Sequence, residues 1–301
     1  MEIATIKPRG FNKDLPAVET GPGVYNGADN VIFNDGIATN PPGWLPMAGT
    51  LEGKPLYILA VSTSSVYYWL YAGNNAGETA GFLAVTDGTS HWDITPVGGL
   101  SVTAAGDWTG GVLNGIPVLN NGTDDPMYWG LDTAVAALVL PDWPANTKCK
   151  ALRPFKYHLL AMNVTQSGTE YQDWILHSDA ADPGDIPQSW TAGPTTQAGS
   201  FSISTVSGGI IDGAELRDVF VVYKQGSNAI VQYTGSSFFF STRRVFVSTG
   251  ILTTDCAQEY QGRHYAIADS DIVRHNGQQV ESLVDGSLRN WIFDQLSSDP
   301  S

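Results

Sequence analysis

The sequence lacks the features that mark a membrane, secreted or metal-binding protein. No apolar run approaches the length of about 20 residues that spans a bilayer. The N-terminal stretch MEIATIKPRGFNKDLP has no apolar core of a signal peptide. The two cysteines, Cys149 and Cys256, are far apart and lie in no CxxC or CxH pattern, so we expect free thiols. These absences predict a soluble protein made in the cytosol.

Charge is also scarce, and basic charge is the scarcer. Only 15% of the 301 residues are charged, with 30 acidic against 15 basic side chains. Residues 55–147 contain no Lys or Arg, yet they contain eight acidic residues: Glu78, Asp87, Asp93, Asp107, Asp124, Asp125, Asp132 and Asp142. Attraction to phosphate needs clustered basic side chains, which argues against a general DNA- or membrane-binding surface. The acidic residues either solvate loops or form a surface that repels polyanions, such as the wall of a DNA conduit.

Helical patterns are nearly absent, and strand patterns fill most of the chain. The best helical candidate is 287–296, where Leu288, Trp291, Ile292 and Leu296 have helical spacing. Elsewhere, short runs rich in β-branched and aromatic residues alternate with Gly, Asn, Asp and Ser turns. The stretch 214–247 is the clearest unit, because it reads as an up-down meander of strands around tight turns.

Similar meanders recur along the chain. Their hairpin turns lie near residues 63, 121, 167, 226 and 270, a spacing of roughly 45 to 60 residues that is close to the size of a propeller blade. We therefore predict an all-β protein, a β-propeller of about five blades, with an incomplete or irregular ring left open as an alternative. The predicted divisions are an extended N-terminal arm (1–50), the propeller-like domain (51–285), and a short helix or tail (286–301) that could lead into a continuation.

No sequence pattern predicts a catalytic, cofactor or metal site. The segment from Ser178 to Trp190 resembles the Asp-box turn of sialidase propellers, which is structural. The acidic pairs Asp124–Asp125 and Asp269–Asp271 lack the DxDxDG pattern of a calcium loop, and the five histidines form no HxxxH or HExxH pair. Arg243–Arg244 is the only basic doublet, and it is either a subunit contact or an exposed edge.

The order of strands and turns resembles a known family. The segments RPFKYHLLAMNV, WILHSDAADPGDIPQSW, VFVVYKQGSNAIVQYTG, FFFSTRRV and AIADSDIVRHNGQQVESL, with NVIFNDG in the arm, are similar to the β-propeller tail-nozzle, or packaged-DNA stabilisation, proteins of short-tailed phages. The resemblance covers most of the chain and is best from Lys150 to Leu283. It rests on spaced turns and strands, and it brings no catalytic residues.

The resemblance implies a structural protein of the virion tail, assembled in the host cytoplasm. It implies a homohexameric ring that contacts a head-to-tail adaptor and other tail proteins and passes genomic DNA without sequence-specific binding, with no cofactor and no membrane. Two alternatives stay open. One is a carbohydrate-active propeller enzyme, which needs carboxylates that converge on the axis. The other is a glycan- or receptor-binding tail module, which needs an exposed aromatic cluster, for instance from Trp69, Trp92, Trp108 and Trp129.

Overall fold

The predicted β-propeller is present. The computed structural model describes residues 7–43, 50–63, 65–203, 208–235, 239–244 and 249–298. Within them the chain forms five four-stranded antiparallel sheets, each built from four strands that are consecutive in sequence. These sheets are the five blades. Two short two-stranded sheets precede them, and one helix follows them.

The elements are numbered in chain order. The N-terminal arm contains β1 (Gly10–Phe11), β2 (Val24–Tyr25), β3 (Ile32–Asn34) and β4 (Ile37–Thr39). Blade 1 contains β5 (Gly53–Ser62), β6 (Tyr67–Asn75), β7 (Gly81–Thr86) and β8 (His91–Asp93). Blade 2 contains β9 (Thr109–Leu113), β10 (Ile116–Asn120), β11 (Met127–Tyr128) and β12 (Leu138–Val139). Blade 3 contains β13 (Thr147–Phe155), β14 (His158–Gln166), β15 (Thr169–His177) and β16 (Gly199–Ser202).

Blades 4 and 5 and one helix form the C-terminal part of the chain. Blade 4 contains β17 (Ile210–Leu216), β18 (Val219–Lys224), β19 (Asn228–Tyr233) and β20 (Phe240–Arg244). Blade 5 contains β21 (Ala257–Tyr260), β22 (Arg263–Ile267), β23 (Ile272–His275) and β24 (Val280–Ser282). The helix α1 covers Arg289–Ser298, two residues later than the predicted 287–296. None of the helices in the described ranges is long and apolar enough to cross a membrane.

Strand β18 shows why the sequence contains continuous apolar runs. Successive side chains of a strand point to opposite faces of its sheet. Phe220 and Val222 enter the hydrophobic core between blades 3 and 4, whereas Val221 and Tyr223 enter the core between blades 4 and 5. Because both faces of a middle blade are covered, its inner strands are apolar at every position rather than at alternate ones.

The blades pack side by side around an axis. The first strands β5, β9, β13, β17 and β21 lie beside one another in that order. Four hydrophobic clusters join blade 1 to 2, 2 to 3, 3 to 4 and 4 to 5. Among the described residues no hydrophobic cluster joins blade 5 to blade 1, since the remaining cluster of Tyr71, Phe82 and Ala84 belongs to blade 1 alone. The described residues of blades 5 and 1 therefore share no hydrophobic core, although Tyr71, Phe82 and Ala84 on that face of blade 1 are buried.

The N-terminal arm is attached to the opposite end of the chain. Its backbone N–H groups at Lys13 and Asp14 donate to the carbonyl of Ser287 (2.9 and 3.2 Å). The Asp14 carboxylate accepts hydrogen bonds from the N–H groups of Asn290 and Trp291, in the first turn of α1 (3.4 and 3.1 Å). An acidic side chain is stabilising at this position because the first N–H groups of a helix have no partner within it. These contacts hold the arm beside blade 5.

The two cysteines are free, as predicted. Cys149 is buried between blades 2 and 3, and burial strongly raises the pKa of its thiol. Cys256 is half-buried, and burial raises its pKa as well. Because the thiolate is the reactive form, we expect a thiol reagent at pH 7.5 to modify the native protein at least about tenfold more slowly than glutathione. Both thiols should react after denaturation; rapid modification of Cys149 in the native protein would contradict this placement.

Candidate functional site: the axial charge cluster

One side chain lies where the first strands of the blades meet. Arg153 is in β13, the first strand of blade 3, and its side chain is only 13% exposed. It is followed by Pro154, which a first strand tolerates because the strand is the edge of its own sheet. The guanidinium of Arg153 reaches blades 2, 4 and 5, so it occupies the axis of the propeller.

The guanidinium makes four hydrogen bonds. Nε and Nη2 donate to the two carboxylate oxygens of Asp212 in blade 4 (2.8 and 2.6 Å). Nη2 also donates to Asp255, which lies two residues before blade 5 (2.6 Å), and Nη1 donates to the carbonyl of Gly110 in blade 2 (2.8 Å). Paired hydrogen bonds between arginine and a carboxylate are among the stronger and more directional contacts in proteins. Arg153 thus ties three other blades to blade 3.

The Asp212 carboxylate, like the Arg153 guanidinium, has several hydrogen-bond partners. It lies in β17 at a register shift between Ile210 and Asp212 in the pairing with β18, and irregularities of this kind re-aim side chains. Its carboxylate also accepts hydrogen bonds from the N–H groups of Gly213 (2.8 Å) and Asp255 (2.9 Å), and its side chain is 4% exposed. Both oxygens therefore have two partners each.

Blade 1 contributes Tyr57 from its first strand. The Tyr57 hydroxyl interacts with Arg153, and burial, offset in part by that guanidinium, raises the pKa of the phenol to about 12. Its ring stacks on Trp108 at the start of blade 2, with centroids 6.5 Å apart. All five blades therefore contribute to the axial charge cluster, which we define as Tyr57, Arg153, Asp212, Asp255 and the Gly110 carbonyl.

The electrostatics of the axial charge cluster favour the charged form of Arg153. Burial opposes the charge of Arg153, but Asp212 and Asp255 more than compensate, so the pKa of the guanidinium is raised. For Asp255, burial raises the pKa of the carboxyl, and the attraction of Arg153 offsets only part of that effect. Breaking a buried pair by removing one partner leaves an uncompensated charge, which costs about 3–5 kcal/mol.

A cavity of about 220 Å³ adjoins the axial charge cluster. It is lined by backbone and side chains of the first strands, including Gly111, Gly213, Glu215 and Gln258. The guanidinium of Arg153 already donates its hydrogen bonds to Asp212, Asp255 and the Gly110 carbonyl. The arrangement is suited to fixing the relative positions of the blades.

The eight acidic residues of 55–147 all lie in or next to blades 1 and 2. Because neighbouring strands of a blade are antiparallel, the turn between the second and third strands lies at the same end of the blade as the start of the first strand. Glu78, Asp107, Asp124 and Asp125 lie at this end. Asp87 and Asp132 lie in turns at the other end, Asp93 ends β8, and Asp142 lies in the connection to blade 3.

Four of the eight carboxylates also stabilise local turns. Asp87 accepts from the N–H groups of Thr89 and Ser90 (both 2.8 Å), which lowers the pKa of its carboxyl to about 2. Asp93, Asp107 and Asp132 accept similar bonds from N–H groups two or three residues away. The acidic residues can therefore both stabilise loops and form a surface that repels polyanions, because a carboxylate that caps a turn still presents its charge to solvent.

Asp124 and Asp142 make contacts over longer distances in the sequence. Asp124 is half-buried and accepts from the N–H and hydroxyl of Ser101 (2.8 and 2.7 Å) and from the Asn121 amide (2.7 Å). Asp142 accepts from the hydroxyls of Ser189 and Thr191 (2.9 and 3.1 Å), which lowers the pKa of its carboxyl. Glu78 is exposed and lies 3.8 Å from the Lys54 ammonium, and Asp125 is exposed.

The predicted subunit contact lies on an outer edge. Arg243 and Arg244 end β20, the fourth strand of blade 4, where they pair with Ile230 and Ala229 of β19. The side chain of Arg243 is exposed, and that of Arg244 falls outside the described residues. Basic side chains on an edge strand hinder uncontrolled strand pairing, so their role as a subunit contact stays a prediction.

The remaining sequence candidates have structural environments. The Asp179 carboxylate accepts hydrogen bonds from the N–H groups of Ala180 and Gln197 (2.9 and 2.8 Å). Trp190 packs edge-on against Trp143, with ring centroids 4.7 Å apart. These contacts are the structural role predicted for the Asp-box-like turn. Across the residues with a described placement, no group of three or more His, Cys, Asp or Glu is arranged to hold a metal.

The tryptophans proposed for a glycan platform do not form one. Trp108 and Trp129 are fully buried between blades 1 and 2, and Trp92 packs against the same core. Trp69 alone of the four is exposed, at 43%. The alternation of side chains along a strand separates Trp69 from the others, because it lies on the opposite face of blade 1.

The sequence did not reveal the axial charge cluster. The arginines are scattered along the chain, and only Arg153 belongs to this cluster, so no basic motif in the sequence marks it. Asp212 follows Arg153 by 59 residues, and Asp255 follows Asp212 by 43. These separations approach the blade repeat, and the three residues lie near the end of β13, near the start of β17 and just before β21.

The comparisons with known proteins do not place the chain in a family. No protein-family model matches it, and no curated protein matches it. Among solved structures, it is similar to a puromycin-hydrolyzing peptidase of Mycobacterium tuberculosis, with 15% sequence identity and a TM-score of 0.34. The match covers 75% of this chain and 43% of the peptidase, so the chain spans less than half of that protein's length. A likeness this weak supports no statement about activity.

Proposed function

We propose that this protein is a structural component of a short-tailed phage tail, a nozzle or hub subunit that forms part of the DNA conduit. The uneven charge of its blades is the observation that carries the proposal. Residues 55–147, which form most of blades 1 and 2, contain eight acidic and no basic residues. Residues 148–282, which form blades 3 to 5, contain 13 acidic and 10 basic residues. One side of the propeller is thus strongly acidic, and the rest is nearly balanced.

An acidic surface suits a wall past which DNA must slide. A basic wall would release counterions from the phosphates and bind DNA in a salt-dependent manner. Residues 55–147 offer no such contact, and Lys54, the one basic residue of blade 1, lies 3.8 Å from Glu78. The carboxylates of these blades repel phosphate within a distance of about 8 Å at physiological ionic strength. In this proposal, blades 1 and 2 face the lumen of the ring, and the duplex passes without adhering.

The duplex would pass between subunits rather than through one of them. The axis of the propeller is filled by the axial charge cluster, in which Arg153 bridges Asp212 and Asp255. Each propeller would therefore act as a rigid wall segment. Several copies, six in the family that the sequence resembles, would surround the genome and contact the adaptor and other tail proteins.

The test of the proposal is the mass of the purified protein in solution. We expect native mass spectrometry at micromolar concentration to detect a closed oligomer, with a hexamer as the expected species. Electron microscopy of that species should show a ring with a lumen wide enough for duplex DNA, about 20 Å. A protein that stays monomeric with and without its adaptor would overturn the nozzle proposal. Specific binding or cleavage of surface polysaccharide by that monomer would favour the carbohydrate-directed alternatives.

Charge reversal tests the orientation of blades 1 and 2. Glu78 and Asp125 are exposed and make no described turn-capping hydrogen bond, so the variant Glu78→Lys/Asp125→Lys should fold normally. We expect this variant, in assembled form, to retain double-stranded DNA at least about tenfold more strongly than the wild type at low salt, with retention that falls as salt rises. The matched control is Glu170→Lys/Asp218→Lys, which makes the same change of four charges at exposed side chains of blades 3 and 4. Equal retention by control and variant would place blades 1 and 2 outside the lumen.

A further inference from the structure

The two ends of the chain meet beside blade 5. The arm precedes blade 1 and α1 follows blade 5, so a contact between them links the two blades whose described residues share no hydrophobic core. Residues 12–14 of the arm make this contact with residues 286–291. The hydrogen-bonded residues are 274 to 277 positions apart in sequence, so no local pattern of residues produces the contact.

Helix α1 depends on the arm at its N-terminus. Its first turn contains no acidic side chain, and a helix of ten residues is too short to be stable by itself in water. The Asp14 carboxylate of the arm takes this place, because it accepts hydrogen bonds from the N–H groups of Asn290 and Trp291. Arg289 also bonds to blade 5, at the Ser270 carbonyl (2.8 Å), but at an exposed position. The arm therefore supplies stability that the first turn of α1 cannot provide for itself.

The arm depends on α1 in return. The β1–β2 sheet has two strands of two residues each, and two-stranded sheets are marginally stable by themselves in water. Asn12 donates from Nδ2 to the carbonyl of Gly286 (2.9 Å), and its Oδ1 accepts from the N–H of Asp14 (3.0 Å), a turn that fixes the direction of Asp14. The Lys13 ammonium lies 5.6 Å from the centre of the Trp291 ring, where an aromatic face attracts a cation. Three consecutive residues of the arm thus take part in the contact.

Two elements that are each marginal by themselves, and that stabilise each other, are expected to order together. We propose that residues 8–25 of the arm and α1 form one cooperative unit, the terminal clasp, which closes and opens as a whole while the five blades stay folded. Proteins open locally in such units where few buried apolar contacts have to be broken. The terminal clasp fits this condition, because its contacts are mainly hydrogen bonds near the surface and Trp291 remains 44% exposed.

The terminal clasp joins the ends of the propeller in place of a shared strand. Each blade is formed by consecutive strands, so no described sheet connects the start of the chain to its end. When the clasp opens, α1 unfolds and the arm leaves blade 5, and both stay attached to the propeller through the chain alone. The link between the two ends is therefore reversible without the unfolding of a blade. This inference does not depend on the proposed role in a phage tail.

Hydrogen–deuterium exchange of the full chain, measured by mass spectrometry, tests the terminal clasp. In Asp14→Ala the helix loses both acceptors, and we expect peptides covering residues 289–298 to exchange at least about fivefold faster than in the wild type, as for the loss of a helix cap. Asp14→Asn keeps a side-chain oxygen acceptor and should stay within about twofold of the wild type. The control Asp29→Ala removes an exposed carboxylate from the same arm and should leave the exchange of α1 unchanged. Equal exchange of α1 in Asp14→Ala and the wild type would overturn the inference.

A break in α1 tests the dependence in the opposite direction. Gln295→Pro interrupts α1 beyond its first turn, because proline lacks an N–H group and clashes with the preceding turn. We expect peptides covering residues 8–25 to exchange at least about tenfold faster in this variant, although none of those residues is changed. The N–H of Asn12, which donates to the Tyr25 carbonyl (2.8 Å), reports the change. Unchanged exchange of the arm would refute the mutual dependence. Equally faster exchange in blade 3 would also contradict the inference, because the opening would then be global.

Discussion

Replacement of Arg153 by methionine is expected to lower the free energy of unfolding by about 3–5 kcal/mol. Methionine has a similar length, so it fills the space along β13, but it cannot neutralise Asp212. The Asp212 side chain is 4% exposed and would remain as a buried charge with only backbone partners. Chemical denaturation, followed by tryptophan fluorescence, would measure the loss.

Two further variants identify the cause of that loss. Lys54→Met removes an ammonium whose side chain is 68% exposed and lies 3.8 Å from Glu78, so it should cost less than about 1 kcal/mol. The double variant Arg153→Met/Asp212→Asn removes both buried charges and should recover part of the stability lost by Arg153→Met. If the double variant is less stable than the single one by the full cost of Asp212→Asn alone, the two residues are not coupled, and the axial charge cluster is not what holds the blades together.

The second large effect is a loss of stability in mild acid. Four of the five histidines are buried in pairs between blades, His158 with His177 and His264 with His275. Burial lowers the pKa of His177 and His275 to about 4, and it lowers the pKa of His158 and His264 as well. The unfolded chain has histidine pKa values near 6.5. Between pH 6.5 and 4 the unfolded state therefore binds more protons, and stability falls as the pH falls.

The hydrogen bonds of one pair explain why it excludes protons. His264 Nε2 donates to the carbonyl of Glu215 (2.8 Å), so Nδ1 accepts from the Tyr223 hydroxyl (2.7 Å). His275 then donates from Nε2 to the Tyr223 oxygen (2.5 Å), and its Nδ1 accepts from the N–H of Gly277 (3.3 Å). Each ring is neutral in this chain. An added proton on either ring would face a donor instead of an acceptor.

We expect the free energy of unfolding to fall by about 3 kcal/mol for each of His177 and His275 between pH 7 and pH 4, from about 1.36 kcal/mol per pKa unit. Urea denaturation at a series of pH values measures the slope. His275→Gln should be less stable at pH 7 but should show a shallower decrease with falling pH. Parallel curves for wild type and His275→Gln would contradict the assignment.

The sequence was informative about the fold because each blade is local. Strand runs such as Val219–Lys224 and turns such as Gln225–Ser227 are set by neighbouring residues, and so the all-β class and the number of blades were predictable. The phase of the repeat was less clear. The turn near 63 lies between the first and second strands of its blade, whereas those near 121, 167, 226 and 270 lie between the second and third. A hairpin turn has the same composition in either position, so a single turn does not reveal which two strands of the blade it connects.

The contacts that span the ring were not predictable. The hydrogen bonds among Arg153, Asp212 and Asp255 join residues 43 to 102 positions apart, and no local pattern marks an arginine that points to an axis. His264 and His275 lie on neighbouring strands of blade 5, but their common partner Tyr223 belongs to another blade. The sequence thus predicted which residues form strands but not which side chains meet across blades.

The consecutive order of strands within each blade has a mechanical consequence. No blade is completed by strands from both ends of the chain, because all five sheets are formed by neighbouring segments. Tension applied at residues 50 and 283 would therefore act first on blades 1 and 5. It would open the hydrogen bonds of one strand at a time rather than shear a whole sheet. The polar contacts of Arg153 would be the barrier to separating blade 3 from blades 4 and 5. Under tension the propeller would therefore yield in steps, from its ends inward.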